Sequence, residues 1–271
     1  MSASKKKVVI HSIVFSPDGV STAYLFNDIA LKLQKEGLDV EILSTTPHYS
    51  INKEEIKKQN LIKKWGGLYQ VSFFHGMKVY HVPQKKFKST LLRVLGMIYW
   101  HIVTFFLGLS IKNVSLIMSP SPPLTIGMIS LFIAKLKGAK CIYNVFEVHP
   151  DIIINQGKLN SKPIVWILKK IEKYVYNQSQ EVSTVDETYY NTIVSRFDKP
   201  EKLSIIHNFV DTDLYKPVSP EGLDETIFPK KPDVLKLMYA GNIGHSQDWA
   251  PLIDLALSCK KANLKVEFWV I

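Results

Sequence analysis

Short apolar runs that end in polar or glycine-containing turns alternate along this chain with longer stretches whose apolar residues recur every three or four positions. Val8 to Phe15 reads as a buried strand, Ser16-Pro17-Asp18-Gly19 as a turn, and Ser21 to Glu36 as a helix with Leu25, Phe26, Ile29, Ala30 and Leu33 on one side. Gly37 stands where a helix cap is expected, and Val40 to Leu43 is the next strand. The chain therefore opens with a β-α-β unit, whose crossover is expected to be right-handed. Further strands are predicted at 78–82, 114–118, 140–145, 181–185 and 203–207, with helices at 90–110, 123–136, 161–177 and 186–196 between them. This alternation predicts an α/β fold with a parallel sheet covered by helices on both faces.

A break follows Pro217. The stretch VSPEGLDETIFPKKPD holds Pro220, Pro229, Pro232, Gly222 and several charges, as a linker does. Beyond it a second β-α-β pattern begins, with a strand at 235–240, a helix at about 248–261 and a strand at 264–270. The expected organisation is a first Rossmann-like domain over 1–217, a linker over 218–233, and a second domain over 234–271. Those last 38 residues fall below the ~50 an independent domain usually needs, so the second domain is expected to be incomplete.

Composition narrows the class. Hydrophobic content of 46% and charged content of 21% describe a chain that buries a core. Cys141 and Cys259 lie in or beside apolar runs with neither metal-ligand spacing nor a disulfide framework, which fits a reducing cytoplasm. The formal charge of +10 favours anionic partners such as nucleotides or acidic lipid headgroups. Dispersed lysines without a reader motif argue against nucleic acid. The basic start MSASKKK is followed by too short an apolar run for a signal peptide. Residues 94–111 approach transmembrane length, but His101 and Thr104 interrupt them and Arg93 borders them. A helix of a soluble domain is the favoured reading. A related one lets its apolar side touch lipid while Lys85, Lys86, Lys88 and Arg93 meet anionic headgroups, placing the protein peripherally on the cytoplasmic membrane face.

Candidate chemistry lies at strand ends. The loop from Ser16 to Thr22 joins a strand to a helix N-terminus, where free amides and the helix dipole favour an anion, and Gly19 would let backbone approach it. Asp18-Gly19 also forms an ordinary turn, with Ser21 an ordinary N-cap. The loop is neither a G-x-G-x-x-G nor a Walker motif, so a nicotinamide cofactor and P-loop hydrolysis are disfavoured. Past the strand at 140–145 stand Glu147, His149 and Asp151, candidates for holding or deprotonating a hydroxyl or, for the carboxylates, for capping the next helix. Glu147 is the preferred catalytic candidate. Asn208, Asp211 and Asp213 suit turns, and Gly241-Asn242-Ile243-Gly244 repeats the strand-to-glycine-turn pattern. Two such turns facing each other would clamp a diphosphate. The eight histidines are scattered, and neither a metal constellation nor a G-x-S-x-G elbow appears.

Several of these segments together resemble the family-4 type of retaining GT-B glycosyltransferases, in particular bacterial members that build capsule, O-antigen or colanic-acid-like polysaccharides. They are SPDGVSTAYLFNDIALKLQKEGLDVEILST, MSPSPPLTIG, YNVFEVHPDIIINQGKL, VSTVDE, IIHNFVDTDLYKP and LMYAGNIGHSQD, spread over nearly the whole chain. The resemblance implies two Rossmann-like domains, a nucleotide-diphosphate sugar held mainly by the second and an acceptor held mainly by the first. It implies Gly19 against the donor phosphates, Glu147 near the acceptor hydroxyl, with His149 and Asp151 on that side, and Gly241, Asn242, Gly244 and Gln247 around the donor. No metal and no further cofactor are implied, because cationic side chains and helix dipoles offset the leaving diphosphate.

The sequence departs from the family pattern at HSQDW, where relatives carry Arg and Lys, and the family's E-x7-E region would fall past Ile271. The expectation is a glycosyltransferase acting on a saccharide or lipid-linked saccharide acceptor in cell-surface polysaccharide synthesis. It would be a fragment, half of a split enzyme completed by a second chain, or inactive. The rivals are a non-catalytic acceptor-binding or scaffold module, and a nucleotide-sugar epimerase, which would turn over its donor without acceptor.

Overall fold

The structure is a computed structural model that describes residues 6–49, 53–85, 87–157, 159–217, 219, 229, 231, 233–241, 243 and 247–271. These cluster into two compact units, 1–210 and 211–271.

The first unit is built on a nine-stranded sheet. Its strands are β1 (Lys7–His11), β2 (Asp39–Thr45), β3 (Ile62–Lys64), β4 (Tyr69–Phe74), β5 (Met77–Val82), β6 (Val114–Ser121), β7 (Lys140–Val145), β8 (Glu181–Thr184) and β9 (Leu203–Ile205). They lie in the order β3-β4-β5-β2-β1-β6-β7-β8-β9. Seven strands, from β5 to β9 across the sheet, pair in parallel as the alternation predicted. The edge differs: β3 with β4 and β4 with β5 pair antiparallel. The β4-β5 hairpin turns on His75-Gly76, with φ of 47° and 83°, as a two-residue turn of mirror-image type requires. Histidine replaces the usual Asn or Asp there, which is why the pattern reading passed over this hairpin.

The helices are α1 (Ser21–Lys35), α2 (Lys53–Gln59), α3 (Thr90–Ser110), α4 (Leu124–Lys137), α5 (Asp151–Asn155), α6 (Lys162–Gln178) and α7 (Glu187–Ile193). Alternate residues along the strands feed two cores. Ile10, Ile42 and Val79 pack with Phe26 and Ala30 of α1 on one face. Val9, Leu43 and Ile117 pack on the other with Trp100 of α3, Ile133 of α4 and Val175 of α6. The strand order runs outward in opposite directions from β1 and β6, and α1 covers the first of these cores, on the face where Gln59 of α2 also accepts from the Ser72 hydroxyl of β4 at 3.3 Å. Gly37 closes α1 as predicted, at φ 84°, with the Leu38 amide donating to the Leu33 carbonyl at 3.1 Å. Residues 12–15, expected to extend the first strand, leave the ladder. Val14 and Phe15 are buried all the same, and their packing rather than strand pairing accounts for the apolar run.

The second unit holds β10 (Leu235–Tyr239), α8 (Ala250–Lys261) and β11 (Val266–Val270), the strands parallel to each other. Most of the predicted linker 218–233 lies outside the described residues. In this unit Leu235, Met238, Ile253 and Leu257 are all more than half exposed.

Candidate active site

Parallel strands all end at one edge, so the loops after β1, β6, β7, β8 and β9 gather there. Ligands of open α/β sheets bind at this edge where the strand order reverses, here between β1 and β6.

The β1 loop is pinned from several directions. The Ser16 amide donates to Asn27 Oδ1 at 3.1 Å, and Gln59 donates to the Ser16 hydroxyl. Asp18 is 3% exposed, and its carboxylate accepts the amides of His48 and Tyr49, both at 3.0 Å. Asp18 therefore does more than form a local turn: it staples this loop to the one after β2. Gly19 follows, half-buried, immediately ahead of α1. The N-cap of α1 is Val20, with extended backbone and no side-chain cap, and no acidic residue occupies the first turn. Ser21, expected as the cap, is instead the first helical residue and is exposed. The positive end of the α1 dipole is thus not offset by a side chain of its own first turn.

Glu147 lies just past β7 and is tied to the end of β6. The Ser121 hydroxyl donates to the Glu147 carbonyl at 2.9 Å and lies 3.3 Å from its amide. Phe146, the residue before it, makes an edge contact with Phe26 of α1, ring centres 5.8 Å apart. These contacts bring Glu147 to the same edge as Gly19. Its carboxylate lies 3.1 Å from His149 Nε2, with the Glu147 side chain 43% exposed and that of His149 14%. A partly exposed carboxylate beside an imidazole can hold or accept a proton from a hydroxyl. Tyr189 stands close by: burial first, then the charges of Glu147 and Asp186, raises its phenol above the usual range. Asp186 caps α7, accepting the Tyr189 amide at 2.7 Å.

Asp151 has a different setting from Glu147. Arg196 bridges it to Glu172, which is 2% exposed and also accepts from the Tyr176 hydroxyl at 3.1 Å. Burial would lower the Arg196 guanidinium, but its bonds and the charges of the two carboxylates hold it above its ordinary value. This triad joins α5, α6 and the turn after α7, so Asp151 acts here as a structural anion. Asp211 accepts the amides of Asp213 and Leu214 at 2.8 and 3.2 Å, the turn-forming use its residue type suggested.

A pocket of about 160 Å³ opens beside α1, lined by Leu25, Ile29, Asn144, Phe146, Val185 and Phe209 among others. Asn144 donates to Ser183 Oγ at 2.6 Å, while its buried Oδ1 has no hydrogen-bond partner among the described residues. Neither Asn144 nor Tyr189 was singled out from the sequence. The available signal was a polar residue at the end of a buried strand.

On the second unit the Gly241 amide donates to the Ile271 carbonyl at 2.9 Å, extending the β10-β11 ladder, and its φ is 156°. Gln247 is described; Asn242 and Gly244 lie outside the described residues. Among the described residues no group of three or more His, Cys, Asp or Glu is placed to hold a metal ion.

The architecture defines a class: it is the fold of the GT-B glycosyltransferases. The catalytic domain of starch synthase IV from Arabidopsis thaliana, solved with ADP and acarbose, superposes with a TM-score of 0.68 at 14% identity, over 99% of this chain and 68% of that one. Anabaena HepE, solved with UDP and glucose, gives 0.63 at 11% identity, over 98% of this chain and 61% of that one. Sucrose-phosphate synthase from Thermosynechococcus elongatus gives 0.61 at 9% identity, over 98% and 71%. This chain thus spans between 61% and 71% of the length of these structures. The sequence matches no family model and no curated protein.

Proposed function

We propose that this chain is a glycosyltransferase of the retaining, family-4 type, moving a sugar from a nucleotide-diphosphate donor to a saccharide or lipid-linked saccharide acceptor in cell-surface polysaccharide synthesis. The observation that carries the proposal is the meeting, at one edge of a GT-B-type sheet, of an uncapped α1 N-terminus beside Gly19 with the Glu147-His149 pair. In this reading the helix end and Gly19 face the donor phosphates, and the dipole offsets the charge that builds on the leaving diphosphate. Glu147 holds the acceptor hydroxyl as the new bond forms, with His149 orienting the carboxylate. Within the second unit, Gly241, Asn242, Gly244 and Gln247 are the residues the family resemblance assigns to donor binding. The reaction proceeds without a metal ion. The exposed Leu235, Met238, Ile253 and Leu257 support a second unit that is completed by further polypeptide, on the same chain or a second one.

The test pairs binding with turnover. Calorimetric titration with UDP-, GDP- and ADP-sugars is expected to show binding of one of them, by this chain or by a reconstituted pair. Binding of acceptor saccharides alone would instead make it a non-catalytic module. Where transfer is measured, Glu147→Gln is expected to lower turnover by about 100-fold with little change in donor binding. Unchanged turnover removes Glu147 from the mechanism.

A further inference from the structure

Helix α3 is apolar on the side that faces the solvent. Trp100, Val103, Thr104 and Leu107 turn inward and are buried. On the opposite side Leu91, Leu95, Ile98, Ile102 and Phe106 recur at helical spacing, between 48% and 67% exposed. A surface helix of a soluble domain normally carries polar residues there. The helix is long and apolar enough to cross a membrane by length and composition, but only 28% of its apolar window is buried in the protein. Its inward side is fastened to the sheet, with Trp100 fully buried and its indole N–H donating to the Ser44 carbonyl at 3.3 Å. Crossing a bilayer would tear that side from the core, whereas lying flat on one leaves it intact.

The charge around the helix selects the surface. Between Ile56 and Phe146 the chain has 13 of its 34 basic residues and none of its 24 acidic ones, so the other 180 residues carry 21 basic against 24 acidic. All of the net positive charge thus belongs to the segment that contains α3. Lys85, Lys88 and Arg93, at the start of the helix, are exposed. The Tyr99 hydroxyl donates to the Leu68 carbonyl at 3.0 Å, joining the helix to a turn that carries Trp65, 82% exposed, after the exposed Lys63 and Lys64. Tryptophan and tyrosine beside an apolar stripe, with lysines around it, suit the boundary between headgroups and acyl chains.

We infer that α3 docks the protein flat on an anionic phospholipid bilayer, Leu95, Ile98, Ile102 and Phe106 entering the acyl boundary while the basic residues meet the headgroups. The binding is independent of the transfer reaction proposed above and involves no nucleotide sugar.

Co-sedimentation of the whole chain with vesicles tests this, comparing phosphatidylcholine alone with phosphatidylcholine in which roughly a third of the lipid is phosphatidylglycerol. Binding to the anionic vesicles is expected to be at least about tenfold tighter. Lys85→Glu with Lys88→Glu should weaken it by about 30-fold. Ile98→Ser with Ile102→Ser should weaken it by about tenfold or more, and these side chains are already exposed enough for the fold to survive, as circular dichroism will show. Ile253→Ser with Leu257→Ser, an equally exposed pair on α8, should stay within about twofold of the parent. Absence of sedimentation, equal binding to both vesicles, or an α8 pair as damaging as the α3 pair each overturns the inference. So does a dimer in light scattering that Ile98→Ser with Ile102→Ser converts to monomer, because the stripe would then be covered by a second copy.

Discussion

Mild acid should destabilise the first unit through histidines that are buried uncharged. His11 is fully buried, its Nδ1 2.9 Å from Ser130 Oγ and its ring stacked on Trp100 at 5.0 Å; burial, with a smaller contribution from His101, lowers its pKa to about 3. His81 is also fully buried, with Nδ1 3.0 Å from the Thr45 carbonyl and Nε2 2.8 Å from Ser72 Oγ. Burial lowers it to about 4 although the Thr45 bond pulls upward. His101, bonded to Thr125 Oγ1 at 2.7 Å, is lowered by burial to about 4. The folded values lie below the unfolded value of about 6.5, so the unfolded chain takes up protons first as pH falls. Stability is therefore complete above about pH 6.5 and declines from there toward the folded values, by about 1.4 kcal/mol per pH unit for each histidine. At about pH 5 His11 and His81 together cost about 4 kcal/mol, a large part of the 5–15 kcal/mol typical of a domain. Glu172, raised by burial against the opposing pull of Arg196, works in the other direction, so a comparison with a variant isolates the histidine effect. Urea denaturation of the parent and of His81→Gln at about pH 7.5, 6 and 5 supplies it. The glutamine amide can donate to Thr45 and accept from Ser72 without titrating. Its stability should fall less steeply, by about 1.4 kcal/mol per pH unit below about pH 6. Identical slopes in parent and variant would refute the reasoning.

Two further substitutions probe packing and the buried ion network. A Cβ on Gly127 would stand 2.6 Å from Tyr143 Cε2 and 2.8 Å from Val175 Cγ1, both on buried side chains, so Gly127→Ala should lose about 1–3 kcal/mol despite its better helix propensity. A thermal melt at or above the parent's would contradict that. Arg196→Met leaves the Glu172 carboxylate buried without its cation and should cost about 3–5 kcal/mol in urea denaturation. Adding Glu172→Gln should recover part of the loss, and a double variant no more stable than the single one would show that charge is not the cause.

Much of the fold was legible in the sequence because it is written in local patterns. Helix α3 spans the 90–110 that its apolar run predicts, β7 the predicted 140–145, and Gly37 ends α1 where a left-handed residue is needed. Strand-end positions also led directly to Glu147 and His149, which the structure holds 3.1 Å apart. Other features depend on partners far along the chain. The Asp18 carboxylate finds its amides 30 and 31 residues away, and Arg196 joins Asp151 across 45 residues, distances over which no local pattern speaks. The side of α3 that meets the sheet was also undetermined, since a helix apolar all round carries no polar stripe to mark its outer face. The chain by itself determined where strands and helices form, because hydrophobic period and backbone preference act within a few residues. Only tertiary packing decided which carboxylates are spent on structure and which apolar face is left to the surroundings, because burial and charge pairing depend on what the folded chain brings alongside.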